Sequence, residues 1–411
     1  MEKSIDRKNF IWNIIGATAN AFNSLLFAII VTRINGINDA GIFTYSFATA
    51  CLLYMVGVYA GRTFQVTDIS KKNSDTDYIY HRIITCIIMM LVSTSFVIIK
   101  QYDVYKSIIF ILLCAFKMIE AFCESIYAII QRNGLLYKVG FSMFLKAFLA
   151  VVVFLIINYI TKDLLLACIA IVLINIIILL AYDLKNLRKV KLIKTKISKE
   201  AITRLFKIGF FTFAITFLAN YLINSPRYAI DDMLTNDLQT IFGIIIMPAT
   251  FMALLAQYII QPSLTTISEY IKNNDYENLK NIIKKLVFII IVLGFLVTIV
   301  AYFMETPVLS FIYGLDLKPY LISMIIIVIG SILYSLSTIL SAVLIAMRKT
   351  LVQAVMYFIT AILTTVISYL LVQKYQIIGA SITYFVTMFI ISILFVIYLI
   401  YNMKKYKKTW K

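Results

Sequence analysis

Apolar runs about as long as a bilayer is thick recur along almost the whole chain, and no soluble fold can bury that many of them. A helix that crosses a membrane needs about twenty predominantly apolar residues. Twelve such runs are read, at roughly residues 10–32, 38–61, 83–99, 107–130, 139–160, 163–182, 205–225, 240–261, 286–304, 319–346, 351–373 and 377–401. No connection between them exceeds about twenty-five residues, which leaves no room for an independent soluble domain. Hydrophobic residues are 62 % of the 411, charged residues 14 %, and the mean hydropathy is +0.93, outside the range of soluble globular chains. The sequence therefore predicts an all-α polytopic membrane protein. Its first run is too long for a cleaved signal and lacks a small-residue cleavage pattern, so it is expected to remain as a helix.

Positive charge is concentrated in alternate connections, near residues 3–8, 62–82, 132–138, 185–207, 272–285, 348–349 and 404–411. Cytoplasmic loops carry such an excess of Lys and Arg. Both termini are thus expected in the cytoplasm, with an even number of spans between them. The net charge of +18 is assigned to topology and to anionic lipid headgroups, not to nucleic acid. Cys51, Cys86, Cys114, Cys123 and Cys168 lie in or beside apolar spans without CxxC spacing, and are read as small hydrophobes rather than as a disulfide framework or zinc site.

The basic connection after the sixth span divides the chain into two six-helix lobes, residues 1–190 and 205–411, joined by residues 191–204. Six is an even number, so the lobes would share one orientation, as in a parallel repeat. A faint internal likeness agrees: Asp68-Ile69-Ser70-Lys71-Lys72-Asn73 falls opposite Glu269-Tyr270-Ile271-Lys272-Asn273-Asn274, about half the chain away. The second lobe opens on an interrupted stretch. Asn220, Asn224, Ser225, Pro226 and Arg227, followed by Asp231, Asp232 and Asp237, read as a break between two spans, and Pro248 sits inside the span that follows. A proline there is tolerated when neighbouring helices satisfy the backbone groups it frees. Residues 275–285 are read as a short amphipathic helix on the inner surface. Pro307 and Pro319 bracket an outer loop, and Gly330, Ser331, Ser335, Ser337 and Ser341 supply small residues for close helix packing.

Polar residues at membrane depth mark candidate functional positions. Asn9, Asn13, Asn20 and Asn23 lie near one face of the first span, and read equally as interhelical hydrogen-bonding groups and as a polar cavity wall. In the fourth span Lys117, Glu120 and Glu124 stand at i, i+3 and i+7, within about 60° of the helix circumference. Charges at that depth must face protein or a water-filled cavity. A locked ion-pair cluster is one reading; a cavity that handles substrate or coupling ion is the reading taken forward. Lys146 adds a cation in the fifth span. Glu124 and Lys146 lie about 10–12 Å above their shared connection on antiparallel neighbours, so they are expected to pair, leaving Lys117 and Glu120 to the substrate path. The single histidine, His81, is placed in an inner loop as an exposed residue.

No HExxH, GxxxxGK[ST], GxSxG or DFG-type set occurs, so neither an enzyme nor a cofactor or metal is expected. Twelve helices, a two-fold repeat and charges at depth describe a secondary transporter.

Certain residues carry a family likeness. Asn224-Ser225-Pro226-Arg227-Tyr228, then Gly243 and Met247-Pro248-Ala249, then Gln261-Pro262, resemble the start of the second lobe in bacterial polysaccharide flippases of the multidrug/oligosaccharidyl-lipid/polysaccharide exporter superfamily. Gly61-Arg62-Thr63-Phe64-Gln65-Val66-Thr67-Asp68 is similar to the stretch after their second helix. The resemblance implies a MATE-like 6+6 fold and a flippase in the bacterial cytoplasmic (inner) membrane. Such a protein moves undecaprenyl-pyrophosphate-linked oligosaccharide, an O-antigen or capsule repeat unit, by alternating access. The bilayer, H+ or Na+ as coupling ion, a polysaccharide polymerase and a chain-length regulator are the further partners it suggests. Cavity cations thought to meet the pyrophosphate would be Arg33, Arg62, Lys117, Lys146 and Arg227. Asp68, Glu120 and Glu124 would be coupling or cavity acids, and Asn13, Asn20 and Asn224 polar cavity groups. A drug/cation antiporter of the same superfamily would share the fold but favour a more apolar, aromatic and acidic cavity. A lipid II flippase commonly carries two more helices, and an O-antigen polymerase a large outer loop.

Overall fold

The computed structural model of the protein describes residues 2–66, 73–193, 195–260 and 263–409. Those residues are almost wholly helical. Among the described residues ten helical segments suffice, by length and composition, to cross a membrane; a further one, α5, falls outside that set because Lys117, Glu120 and Glu124 occupy its centre. The last of the ten, α16 (Thr350–Thr409), is two spans joined at Gln376, whose φ of 49° and ψ of −125° break the helix. The described residues thus hold about twelve membrane helices. Asp68, and with it most of the stretch 68–73 compared with 269–274, lies outside the described residues.

The chain forms two compact units, Met1–Phe217 and Leu218–Lys411. In the first, α1 (Glu2–Ile34), α2 (Ile37–Val58), the short α3 (Gly61–Val66), α4 (Asp75–Lys100), α5 (Val104–Arg132), α6 (Leu136–Thr161) and α7 (Leu164–Ile178) follow in order. A π-helical turn, Leu179–Asp183, carries α7 into α8 (Leu184–Leu187), and α9 (Lys199–Met233) begins beyond the basic connection. α1 packs along α6 at very short range. A Cβ on Gly140 would stand 2.2 Å from the Trp12 carbonyl oxygen, and one on Gly16 2.3 Å from that of Gly140; only glycine fits either position. Asn9 fastens one end of this pair, donating to the Gly134 carbonyl (3.1 Å) and accepting from the Tyr137 amide (2.8 Å). Asn35 fastens the other, donating to the Lys162 carbonyl at 3.2 Å. Between them Phe27 meets Phe43, Phe47, Phe116 and Phe154 in the core, with its ring centroid 4.8 Å from that of Phe154.

In the second unit α10 (Asn236–Ile245), α11 (Met247–Ile260), α12 (Leu264–Lys272), α13 (Tyr276–Val300), α14 (Thr306–Tyr313), α15 (Leu321–Ala346) and α16 follow. α15 is central and packs on α11, α13 and α16. Its small residues do the work expected of them: Ser331, Ser335 and Ser337 are buried, and Ser392 of α16 donates to the Leu333 carbonyl at 2.8 Å.

Several boundaries differ from the expected ones. The polar stretch 220–233 is not a break, because α9 runs on to Met233 with Pro226 inside it. Several of its polar groups find partners within the unit. Asn224 donates to the Asn220 carbonyl (3.0 Å), Ser225 bonds Ser368 (3.1 Å) and Gln239 donates to the Arg227 carbonyl (2.9 Å). Asp231 and Asp232 accordingly sit in the last helical turn rather than in a loop. Pro248 falls just after the break at Ile246 between α10 and α11, where its missing N–H matters least. Residues 276–285 belong to the long α13, and the separate short amphipathic helix is α12. Pro307 lies within α14. His81 is buried within α4, which starts eight residues before the expected span because Ser74 and Asp77 form a capping box at Asp75.

Candidate functional site

Helix α5 carries its charges on one face, and that face meets groups from α2, α3 and α4. Lys117 Nζ lies 2.8 Å from Glu120 Oε2, and Arg62 Nε, from α3, lies 3.6 Å from Glu124 Oε2. Lys117 also stands over the Phe47 and Phe116 rings, 4.8 and 5.2 Å from their centroids. From α4, Arg82 donates through Nη1 to the Gly57 carbonyl at 2.6 Å, and Thr85 donates to the same oxygen at 2.7 Å. The last carbonyls of a helix have no intrahelical partner, and Gly57 is in the last turn of α2. Arg82 senses Glu124, while Tyr54 of α2 is within electrostatic reach of Glu124, Glu120, Arg82 and Arg62.

Arg62 and Lys117 thus meet the carboxylates of Glu124 and Glu120, and Arg82, bonded to the Gly57 carbonyl, lies within electrostatic reach of Glu124. The balance is positive. Two guanidinium nitrogens of the set, Arg62 Nη1 and Arg82 Nε, are buried with no partner among the described residues. Orphaned donors beside an uncompensated positive charge suit a dense anion such as a phosphate oxygen, which accepts charge-assisted hydrogen bonds.

A second charged centre of this unit is closed. Lys146 Nζ lies 2.5 Å from Asp183 Oδ2, and both are buried. Ser142 donates to Asp183 at 2.6 Å, Tyr127 and Ser142 share a hydrogen bond at 2.8 Å, and Lys146 reaches the Tyr127 hydroxyl at 3.1 Å. The expected pairing of Glu124 with Lys146 is overturned: Glu124 meets Arg62, and Lys146 meets Asp183. Successive helix residues are about 100° apart, so Cys123 and Tyr127 look toward α6 and α7 while Glu124 looks toward α3. The π-helical turn, which inserts a residue into α7, turns Asp183 inward onto Lys146.

The remaining sequence candidates are dispersed. Arg33 is exposed in the last turn of α1, the end opposite Asn9. Asn13 is half-buried and Asn20 exposed on α1. Arg227, in the second unit, is buried with its guanidinium 5.8 Å from the Phe242 ring centroid, and Asn224 is engaged with its own helix. Arg82, Tyr54 and Asp183 were not singled out from the sequence. Arg82 and Asp183 fall just outside the expected spans, and Tyr54 is one of 27 tyrosines; a span boundary drawn one residue later would have raised Asp183. Among the described residues no group of three or more His, Cys, Asp or Glu could hold a metal ion.

No protein-family model matches the chain. It is 24 % identical over 386 residues to the capsular polysaccharide biosynthesis protein CapF of Staphylococcus aureus, covering 93 % of this chain and 96 % of that protein. Among solved structures it is similar to the inward-facing conformation of a multidrug resistance MATE family transporter of the MOP superfamily, with a TM-score of 0.77, 11 % identity and coverage of 97 % and 99 %. An outward-facing conformation of such a transporter gives a TM-score of 0.67 at 15 % identity, covering 99 % and 97 %. The fold is the one these transporters have, and the likeness to polysaccharide exporters of their superfamily read from the sequence holds along nearly the whole chain.

Proposed function

We propose that the protein is a flippase that moves undecaprenyl-pyrophosphate-linked oligosaccharide repeat units across the bacterial cytoplasmic membrane by alternating access, in the assembly of a capsule or a similar surface glycan. The observation that carries the reading is the positive balance around the charged face of α5: Arg62 of α3, Arg82 of α4 and Lys117 against Glu120 and Glu124, with orphaned guanidinium donors. An acidic or purely aromatic interior would suit a cationic drug, whereas this one suits a pyrophosphate. The capsular relative supports the same substrate class. Both termini then lie in the cytoplasm, where the basic connections face anionic headgroups. A polymerase and a chain-length regulator would act on the flipped product. H+ or Na+ would couple transport, with Glu120 and Glu124 as the acids nearest the cations.

The test is deletion of the gene followed by analysis of lipid-linked intermediates. Repeat units held on the inner leaflet are the expected result. Single repeat units already exposed outside would point instead to a polymerase defect and overturn the proposal.

A further inference from the structure

Arg62 directly follows a turn, Tyr59–Gly61, that the chain has no local reason to adopt. α2 ends at Val58, and Tyr59 follows with φ 51° and ψ −111°, a conformation that L residues rarely take. Gly61, at φ 79°, then starts α3. Such a backbone persists only where its surroundings over-determine it.

Those surroundings come from the N-terminal half of α9. The Tyr59 ring is stacked on Phe213, with centroids 4.7 Å apart and planes 13° from parallel, and it meets Phe206 edge-on at 5.2 Å. His81 of α4 closes the cage, 5.4 Å from Tyr59 and 4.4 Å from Phe206. The Tyr59 hydroxyl donates to the Phe206 carbonyl at 3.0 Å. Gly209 is the seat for the turn: a Cβ there would stand 2.9 Å from the Ala60 Cβ and 3.0 Å from the Tyr59 ring.

We infer that Tyr59 is a positioning residue, a clamp by which α9 holds the Tyr59–Gly61 turn so that Arg62 faces Glu124 and the anion site. The clamp is separate from the chemistry of recognition, because Tyr59 touches α9 and α4 and is not among the groups that meet the α5 carboxylates. Its importance for transport rests on the function proposed above; its effect on Arg62 does not.

The test reads Arg62 directly. In a cysteine-free protein, Arg62→Cys is labelled in membranes with a methanethiosulfonate reagent, with no substrate added, in three backgrounds. With Tyr59 intact the rate sets the reference. Tyr59→Phe keeps the stack and should stay within about twofold of it, whereas Tyr59→Ala should change the rate at least tenfold. Gly209→Leu, which drives the turn off α9 without altering the Tyr59 side chain, should act as Tyr59→Ala does, and covers the case in which Tyr59→Ala fails to accumulate. A rate within twofold of the reference in both Tyr59→Ala and Gly209→Leu overturns the clamp. Transport is read separately, in chains that keep Arg62. Loss in Tyr59→Ala with a normal Tyr59→Phe supports the positioning role, while normal transport by Arg62→Ala would remove the functional reading and leave the labelling result standing.

Discussion

Asp183, in the π-helical turn that ends α7, and Lys146, on the neighbouring α6, form a buried pair, Oδ2 to Nζ 2.5 Å. Desolvation of two such charges can exceed their attraction, but removing one partner leaves an uncompensated charge that costs about 3–5 kcal/mol. Asp183→Asn and Lys146→Met are each expected to destabilise the protein by about that amount, seen as a lower unfolding temperature in detergent. The double variant Lys146→Met with Asp183→Leu should recover most of the loss. A double variant no more stable than the worse single one would refute the pairing.

The Arg62 and Glu124 pair predicts the opposite behaviour. It is looser, at 3.6 Å, and its side chains keep 24 % and 17 % of their exposure. A looser, partly exposed pair loses less when one partner is removed than a fully buried one does. Glu124→Gln should therefore change thermal stability little, while it alters transport by leaving the site more positive. Unfolding curves of Glu124→Gln and Asp183→Asn, measured side by side, decide the matter; equal losses would contradict this account.

At the crossing of α1 and α6 the backbones leave no room for a methyl group. Gly140→Ala is expected to cost at least the roughly 1–3 kcal/mol of an overpacked site, and Gly140→Val to prevent accumulation in the membrane. Wild-type levels of Gly140→Val would show that the two helices can separate there without penalty.

The distribution of basic residues makes a prediction about topology. In a cysteine-free background, Lys191→Cys and Lys408→Cys should be shielded from an impermeant thiol reagent in intact cells, whereas Asp237→Cys and Asp316→Cys should react. Labelling of Lys191→Cys from outside would reverse the assigned orientation.

Much of the fold was legible because twelve apolar runs of bilayer length leave few architectures, and because Gln376 interrupts helix α16 almost where hydropathy dips. The α5 face was legible too, since Lys117, Glu120 and Glu124 share it by helical periodicity alone. What the sequence hid were features set by tertiary contact. Asp183 looked like the end of a span until a π-helical turn moved it inward. Asn224, Pro226 and Arg227 looked like a loop because polarity in one dimension does not reveal that Ser368 and Gln239 satisfy the segment from neighbouring helices. His81 looked exposed because the capping box that starts α4 early is made by residues with no apolar signal.

In the proposed function the cations on α5 and α3 serve an anionic lipid-linked substrate. Its most direct test follows the leaflet position of the lipid-linked repeat unit in deletion cells that carry the wild-type gene, Arg62→Ala or Lys117→Ala, each present in the membrane at equal level. The wild-type protein should deliver the repeat unit to the outer leaflet, and both variants should leave it on the inner one, with Arg62→Lys retaining part of the activity. Delivery at the wild-type rate by both alanine variants would contradict the account.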